Sequence, residues 1–237
     1  MTTVAHLELR ERVLEANRAI VRAGLVVLTF GNVSGVDRDA GVMAIKPSGV
    51  PYDDLAADAI VVLDLETGAV VAGDARPSSD TPAHLELYRG LPSIGGVVHT
   101  HSPFATAWAQ AGRELPCYGT THADHFDGPV PVTRALTADE LGEEYEQQTG
   151  RAIVELFERN GADPLACPAA FVVSHGPFAW GADVEQAVEN AVALEAVAAA
   201  AAWTELLRPD ALPIGDDLRR RHFDRKHGPA AYYGQPT

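Results

Sequence analysis

Leu9, Val13, Ala16, Ile20 and Val21 recur at the spacing of one helical face, and Gly24 stands where a left-handed cap ends a helix. The pattern predicts a first helix from about residue 5 to that glycine. Residues 25–30 form a continuous apolar run with β-branched members, broken by Gly31 and Asn32, and are expected to be a strand entering a tight turn. Residues 42–46, 60–64 and 70–72 have the same character, with Glu66, Thr67 and Gly68 forming a hairpin turn between the last two. The first third is therefore expected to be a helix followed by meandering strands.

Beyond residue 80 helices alternate with single strands. Thr81 and Pro82 open a helix running to about Arg89, because proline is tolerated in a first turn. A strand over 94–99 follows, and Ser102 with Pro103 repeats the helix start, leaving only Thr100 and His101 between strand and helix. Thr137 with Glu140 reads as a capping box for a helix to about Asn160, and 170–174 as a strand ended by Gly176 and Pro177. Asp183 with Gln186 caps an Ala-rich helix that stops before Pro209, and a last short helix covers roughly 216–226. No linker, repeat or composition break divides residues 1–237, so the pattern predicts one α/β domain with mixed or antiparallel strands.

Charge narrows the partners. Lys plus Arg is 18 against Asp plus Glu 33, a net −15, so the overall field repels polyanions and no nucleic-acid partner is expected. The one basic cluster, Arg219, Arg220, Arg221, Arg225 and Lys226, reads as a local anion contact or a solvated helix face. Cys117 and Cys167 are too few and too far apart for a disulfide framework or a thiolate metal site. Residues 1–22 lack the apolar core of a signal peptide, and 187–207 is interrupted by Glu189, Asn190, Glu195 and Glu205, so no membrane is expected. These features predict a cytoplasmic protein.

The histidines carry the most chemical information. His99 and His101, two apart at a strand end, project from one face and can reach one ion at the roughly 2.0 to 2.1 Å that zinc requires. His175 ends a second apolar strand, and three imidazoles with an open fourth position would make a catalytic rather than a structural zinc site. Asp80 completes or shares that coordination, serves as a helix N-cap, or does both. Residues 119–125 form a polar cluster without periodicity, which alone reads as a solvated loop. Three small polar turns, Gly31 with Asn32, Ser48 with Gly49, and Ser78 with Ser79, offer N–H groups, hydroxyls and an amide suited to phosphate, with Lys46 as a nearby cation. Neither a dinucleotide or P-loop fingerprint nor a Gly-x-Ser-x-Gly elbow is present.

Seven segments in order are familiar: Gly31 Asn32 Val33 Ser34; Ile45 Lys46 Pro47 Ser48 Gly49 Val50; Pro77 Ser78 Ser79 Asp80 Thr81 Pro82; Gly95 Gly96 Val97 Val98 His99 Thr100 His101 Ser102; Gly119 Thr120 Thr121 His122 Ala123 Asp124; Ser174 His175 Gly176 Pro177 Phe178 Ala179 Trp180 Gly181; and Lys226 His227 Gly228 with Tyr232 Tyr233 Gly234 Gln235. Together, from about residue 10 to 235, they resemble the class II aldolase and adducin head family, and within it the L-ribulose-5-phosphate 4-epimerases. The resemblance implies a three-layer α/β/α sandwich with a largely antiparallel central sheet. It also implies a homotetramer of fourfold symmetry whose active sites lie between subunits. Zinc, replaceable by Mn2+ or Co2+ in such a donor set, would fall on His99, His101 and His175, with Asp80 the nearby carboxylate. Gly31, Asn32, Lys46, Ser48, Gly49, Ser78, Ser79 and Thr120 would bind a phosphorylated ketopentose. Asp124 and Tyr233 would be acid and base, with the tail of about 228–237 reaching a neighbouring subunit.

The implied reaction suits these residues. A secondary alcohol carbon with no acidic hydrogen is not inverted by simple proton abstraction, so a carbon bond breaks instead. Retro-aldol cleavage between C3 and C4, with zinc as Lewis acid, lets the aldehyde fragment turn its other face before re-addition. The two alkoxides require two proton-transfer groups. The rival reading is an aldolase of the fuculose 1-phosphate or rhamnulose 1-phosphate type, which releases the fragments. Those relatives carry Glu where this chain has Asp80, and the 120–124 segment resembles the epimerases. A noncatalytic adducin-type interaction module is the reading of a different class, and intact His99, His101 and His175 argue against it.

Overall fold

The computed structural model describes residues 5–229, 231 and 232. Seven helices, α1 (Leu7–Arg22), α2 (Thr81–Gly90), α3 (Pro103–Ala111), α4 (Thr120–Ala123), α5 (Tyr145–Asn160), α6 (Val184–Leu207) and α7 (Asp216–His227), surround seven strands among these residues. The strands are β1 (Gly31–Asp37), β2 (Val42–Ile45), β3 (Val61–Asp64), β4 (Val70–Ala72), β5 (Gly96–Thr100), β6 (Ala169–Val172) and β7 (Gly176–Gly181). They form one sheet in the order β4-β3-β2-β1-β5-β7-β6. Every named pair is antiparallel, which settles the choice between mixed and antiparallel strands.

Alternation along the strands divides the interior into two cores, as the period of two in extended chain requires. Val33, Val42, Ala44, Val62, Val98, Ala169 and Phe171 pack with residues of α1, α3 and α6. Their neighbours Met43, Ile45, Val61, Leu63, Val97, Ala170 and Val172 pack with α2 and α5 on the opposite face. The result is an α/β/α sandwich. The first turn of α6 seats directly on the sheet because Gly96 leaves room: a Cβ there would stand 2.5 Å from Val184 Cα. This helix is long and apolar enough to cross a membrane by length and composition, yet Leu194, Val197, Ala198 and Ala201 are buried in the core.

Four expectations need correction. Residues 25–30 are not a strand, apart from a single bridge between Val27 and Phe30. Val27, Leu28 and Phe30 stand half or more exposed, and Leu28 adopts a left-handed φ of 56°. The strand begins instead at Gly31, so Gly31 and Asn32 lie in β1 rather than in a turn. The Thr137 N–H does donate to Glu140 Oε2 at 2.7 Å, but that pair closes only a single turn over Asp139–Leu141, and α5 starts at Tyr145. Gly176 and Pro177 open β7 instead of ending a strand, which places His175 in the tight β6–β7 turn. Residues 120–123 form the short helix α4, not a loop.

A candidate metal and phosphate site

The antiparallel register builds the centre of the site. Asn32 on β1 pairs with His99 on β5, and His99 pairs with Phe178 on β7, so three neighbouring strands contribute to one row. Phe178 stacks on the His99 ring with 4.2 Å between centroids. His99 Nδ1–H donates to the Pro177 carbonyl at 2.9 Å, an assignment that leaves the Nε2 lone pair facing inward. Burial pushes the His99 pKa down to about 3, against the pull of Asp80, so the ring is neutral, as a metal ligand must be.

His101 and His175 close on this ring. Ligating atoms of all three histidines lie within 4.8 Å of one another. His101 Nε2 stands 3.2 Å from His99 Nε2. Two nitrogens of a tetrahedral zinc site, each at about 2.0 to 2.1 Å, are about 3.4 Å apart, so the spacing fits that cation. Without a cation the same spacing suits a hydrogen bond from His101 to His99. Burial also holds the His175 imidazole below its ordinary value. An all-imidazole donor set suits zinc and its first-row neighbours rather than magnesium or calcium.

Asp80 immediately precedes α2, yet its carboxylate makes no capping bond to that helix. Instead Asn32 Nδ2 donates to Asp80 Oδ2 at 2.6 Å and to Ser78 Oγ at 3.1 Å. Asp80 thus holds the N-cap position of α2 by its backbone, its carbonyl accepting from His84 N–H at 3.1 Å, while its side chain lines the cleft. Burial opposes its ionisation, but His99, His84 and the Asn32 hydrogen bond outweigh that effect and hold the carboxyl below the usual range.

One cleft of about 330 Å³ is lined by His99, His101, His175 and Asp80 together with Gly31, Asn32, Lys46, Ser48, Gly49, Ser78 and Ser79. Ser78 and Ser79 lie at the N-terminal end of α2, where backbone N–H groups favour an anion. Ser48 N–H donates to Arg76 O and Ser78 N–H to Lys46 O, tying the two serine turns together. Gly31 has a φ of 139°, and a Cβ there would meet His99 O at 3.0 Å. Lys46 is buried against Tyr52, 4.8 Å from its ring centre, and burial lowers its pKa. Tyr52 in turn donates to Gly31 O at 2.6 Å, bracing the start of β1 beside the cleft.

Thr120 and Asp124 do not line this cleft. Asp124 follows α4 and is held by α7: Arg225 donates to its two oxygens at 2.9 and 2.7 Å, and His222 Nδ1 lies 3.1 Å away. Burial works against ionisation there, but Arg225 and His222 keep the carboxyl below the usual range. The basic cluster is thus largely spoken for, with Arg219 paired to Asp127 and Lys226 to Glu189. Tyr233 and most of the tail from 228 lie outside the described residues. Sequence reasoning missed Tyr145, whose hydroxyl stands 3.3 Å from His175 Nδ1, and the buried His84, whose Nδ1 bonds Ser34 Oγ at 2.6 Å. Tyr145 carries no motif, whereas the i+4 spacing of His84 from Asp80 at the start of α2 was available as a signal.

Comparison with known proteins follows the fold closely. The sequence model for the class II aldolase and adducin N-terminal domain matches residues 11–202. Among solved structures, an L-fuculose 1-phosphate aldolase superposes with a TM-score of 0.78 at 23% identity, covering 95% of this chain and 99% of the other. YgbL from Escherichia coli, described as an aldolase, epimerase or decarboxylase, gives 0.72 at 22% identity over 91% and 97% of the two chains. The L-fuculose-1-phosphate aldolase of Thermus thermophilus gives 0.66 at 22% identity over 85% and 97%. At these identities the likeness establishes the fold.

Proposed function

The chain belongs to the class II aldolase and adducin family, whose domain it carries over residues 11–202, and from that premise we propose a zinc-dependent enzyme interconverting L-ribulose 5-phosphate and D-xylulose 5-phosphate. The observation that carries the reading is the single cleft in which three imidazoles, the Asp80 carboxylate, Lys46 and the small polar segments converge. Gly31, Asn32, Ser48, Gly49, Ser78 and Ser79 take the phosphate, and Lys46 offsets negative charge on the bound sugar. His99, His101 and His175 hold the metal, with Asp80 alongside. When bound, zinc supplies Lewis-acid stabilisation of the charge that develops as the C3–C4 bond breaks.

Asp124 and Tyr233 are the proton-transfer pair, one for each alkoxide. Because Asp124 lies outside the cleft of its own subunit, these roles fit a site completed by a neighbouring copy in a fourfold homotetramer. Exposed Val27, Leu28 and Phe30 beside the cleft, and Trp203, Leu206 and Leu207 on α6, provide apolar surface for such contacts. The short side chain of Asp80 and the 120–124 segment favour epimerisation. An aldolase that releases the two fragments is the second reading, favoured by the names of the fuculose 1-phosphate aldolases that share the fold.

Steady-state kinetics on three substrates separates the two. The proposal expects kcat/KM for L-ribulose 5-phosphate to exceed those for L-fuculose 1-phosphate and L-rhamnulose 1-phosphate by at least about 10²-fold, the scale of discrimination that pocket contacts supply. Preferential cleavage of either 1-phosphate would move the chain to the aldolase reading.

A further inference from the structure

The three imidazoles are not held equally. His99 sits inside β5, fully buried, with its Nδ1 on the Pro177 carbonyl and its face on Phe178. His175 has no such frame. It stands in the short turn between β6 and β7, after Ser174, which adopts a left-handed φ of 62°. A ring on a tight turn has more rotational freedom than one within a sheet, unless something outside the turn fixes it. That contact comes from α5: the Tyr145 hydroxyl lies 3.3 Å from His175 Nδ1, and the two rings stack at 26° with centroids 6.2 Å apart. Tyr145 is the first residue of α5, a helix packed against α2 and, through Phe157 on Trp180, against the β6–β7 hairpin, so it reaches His175 from outside the turn itself.

Resting on the metal-site reading above, we infer that Tyr145 is a positioning residue for the metal centre, accepting the His175 Nδ1–H and fixing the tautomer that turns Nε2 toward the other two histidines. An outer partner of this kind raises the basicity of the ligating nitrogen and limits ring rotation, and its loss weakens metal binding by roughly 10- to 100-fold. Tyr145→Phe keeps the ring stack and removes only the hydroxyl. Zinc affinity measured by chelator competition on the full chain should fall by that factor, while the thermal unfolding of the metal-free protein stays the same. At saturating zinc, kcat should return to within about twofold of the wild type, since the residue acts through His175. Tyr118→Phe, which removes a hydroxyl bound to the remote Glu205, should leave zinc affinity unchanged. Equal zinc affinity in wild type and Tyr145→Phe would overturn the inference, as would a kcat that stays low at full occupancy. Wild-type protein that binds no zinc would instead remove the reading on which it rests.

Discussion

His84 makes acid stability a test of the interior beneath the site. The ring is fully buried on α2, with Nδ1 on Ser34 Oγ, Ser34 Oγ on Tyr88 OH at 2.9 Å, and Nε2 without a partner among the described residues. Desolvation, opposed by Asp80, lowers its pKa from 6.5 to about 4. The unfolded chain therefore takes up the proton first as pH falls from 6.5 to about 4. Stability is flat above this window and drops within it. Between about pH 7 and pH 5 the single residue removes about 2 kcal/mol, from linkage with pKa values of about 6.5 unfolded and about 4 folded. His122, buried and donating Nε2–H to the Gly128 carbonyl at 2.7 Å, is lowered to about 4 as well and removes a like amount. Against a total stability on the order of 5–15 kcal/mol, these losses are large. His84→Asn keeps an amide beside Ser34 and deletes the titration. Urea midpoints at about pH 7 and pH 5, both with chelator so that His99 contributes equally, should show the variant losing about 2 kcal/mol less than the wild type on acidification. Identical losses in the two proteins would refute the argument.

Other perturbations read different links. Gly96→Ala places a methyl 2.5 Å from Val184 Cα and 2.6 Å from Asp183 O, so α6 must shift. It should exceed the usual overpacking cost of about 1–3 kcal/mol, and an unchanged melting temperature would count against the close seat of α6. Glu195→Ala frees the Phe104 and Ala105 N–H groups, now bonded at 2.9 and 2.8 Å, and should destabilise by roughly 1–2 kcal/mol in urea titrations. Ser79→Ala should weaken binding of the phosphorylated sugar by roughly 10- to 150-fold while sparing unphosphorylated ribulose. Asn32→Ala should impair both sugars, because its amide also holds Asp80.

Much of this architecture is legible in the sequence wherever pattern and burial agree. Helices α1, α2, α6 and α7 and strands β2 to β5 lie close to their expected places because apolar periodicity and capping residues coincide there. The failures have physical causes. Residues 25–30 are apolar but largely exposed, so hydrophobicity alone suggested a strand where side chains face outward. In β1, Gly31–Asp37, two glycines and an asparagine hide a central strand whose Gly35 is selected by the nearby Val184 and Val13 side chains. Pro177 near the start of β7 looked like a terminator, although its carbonyl serves His99. The histidine trio and the small polar segments that share its cleft could be found because spacing and residue type are local signals. Tyr145 and the Asp124–Arg225 pair could not, since each depends on elements that meet only after folding.

Nuclear magnetic resonance of the zinc-loaded protein with L-ribulose 5-phosphate in D2O tests the central claim most directly. Cleavage and re-addition at C3–C4 predicts accumulation of D-xylulose 5-phosphate with protium retained at C4 and no free dihydroxyacetone or glycolaldehyde phosphate. Deuterium at C4, or free fragments in place of the epimer, would contradict it.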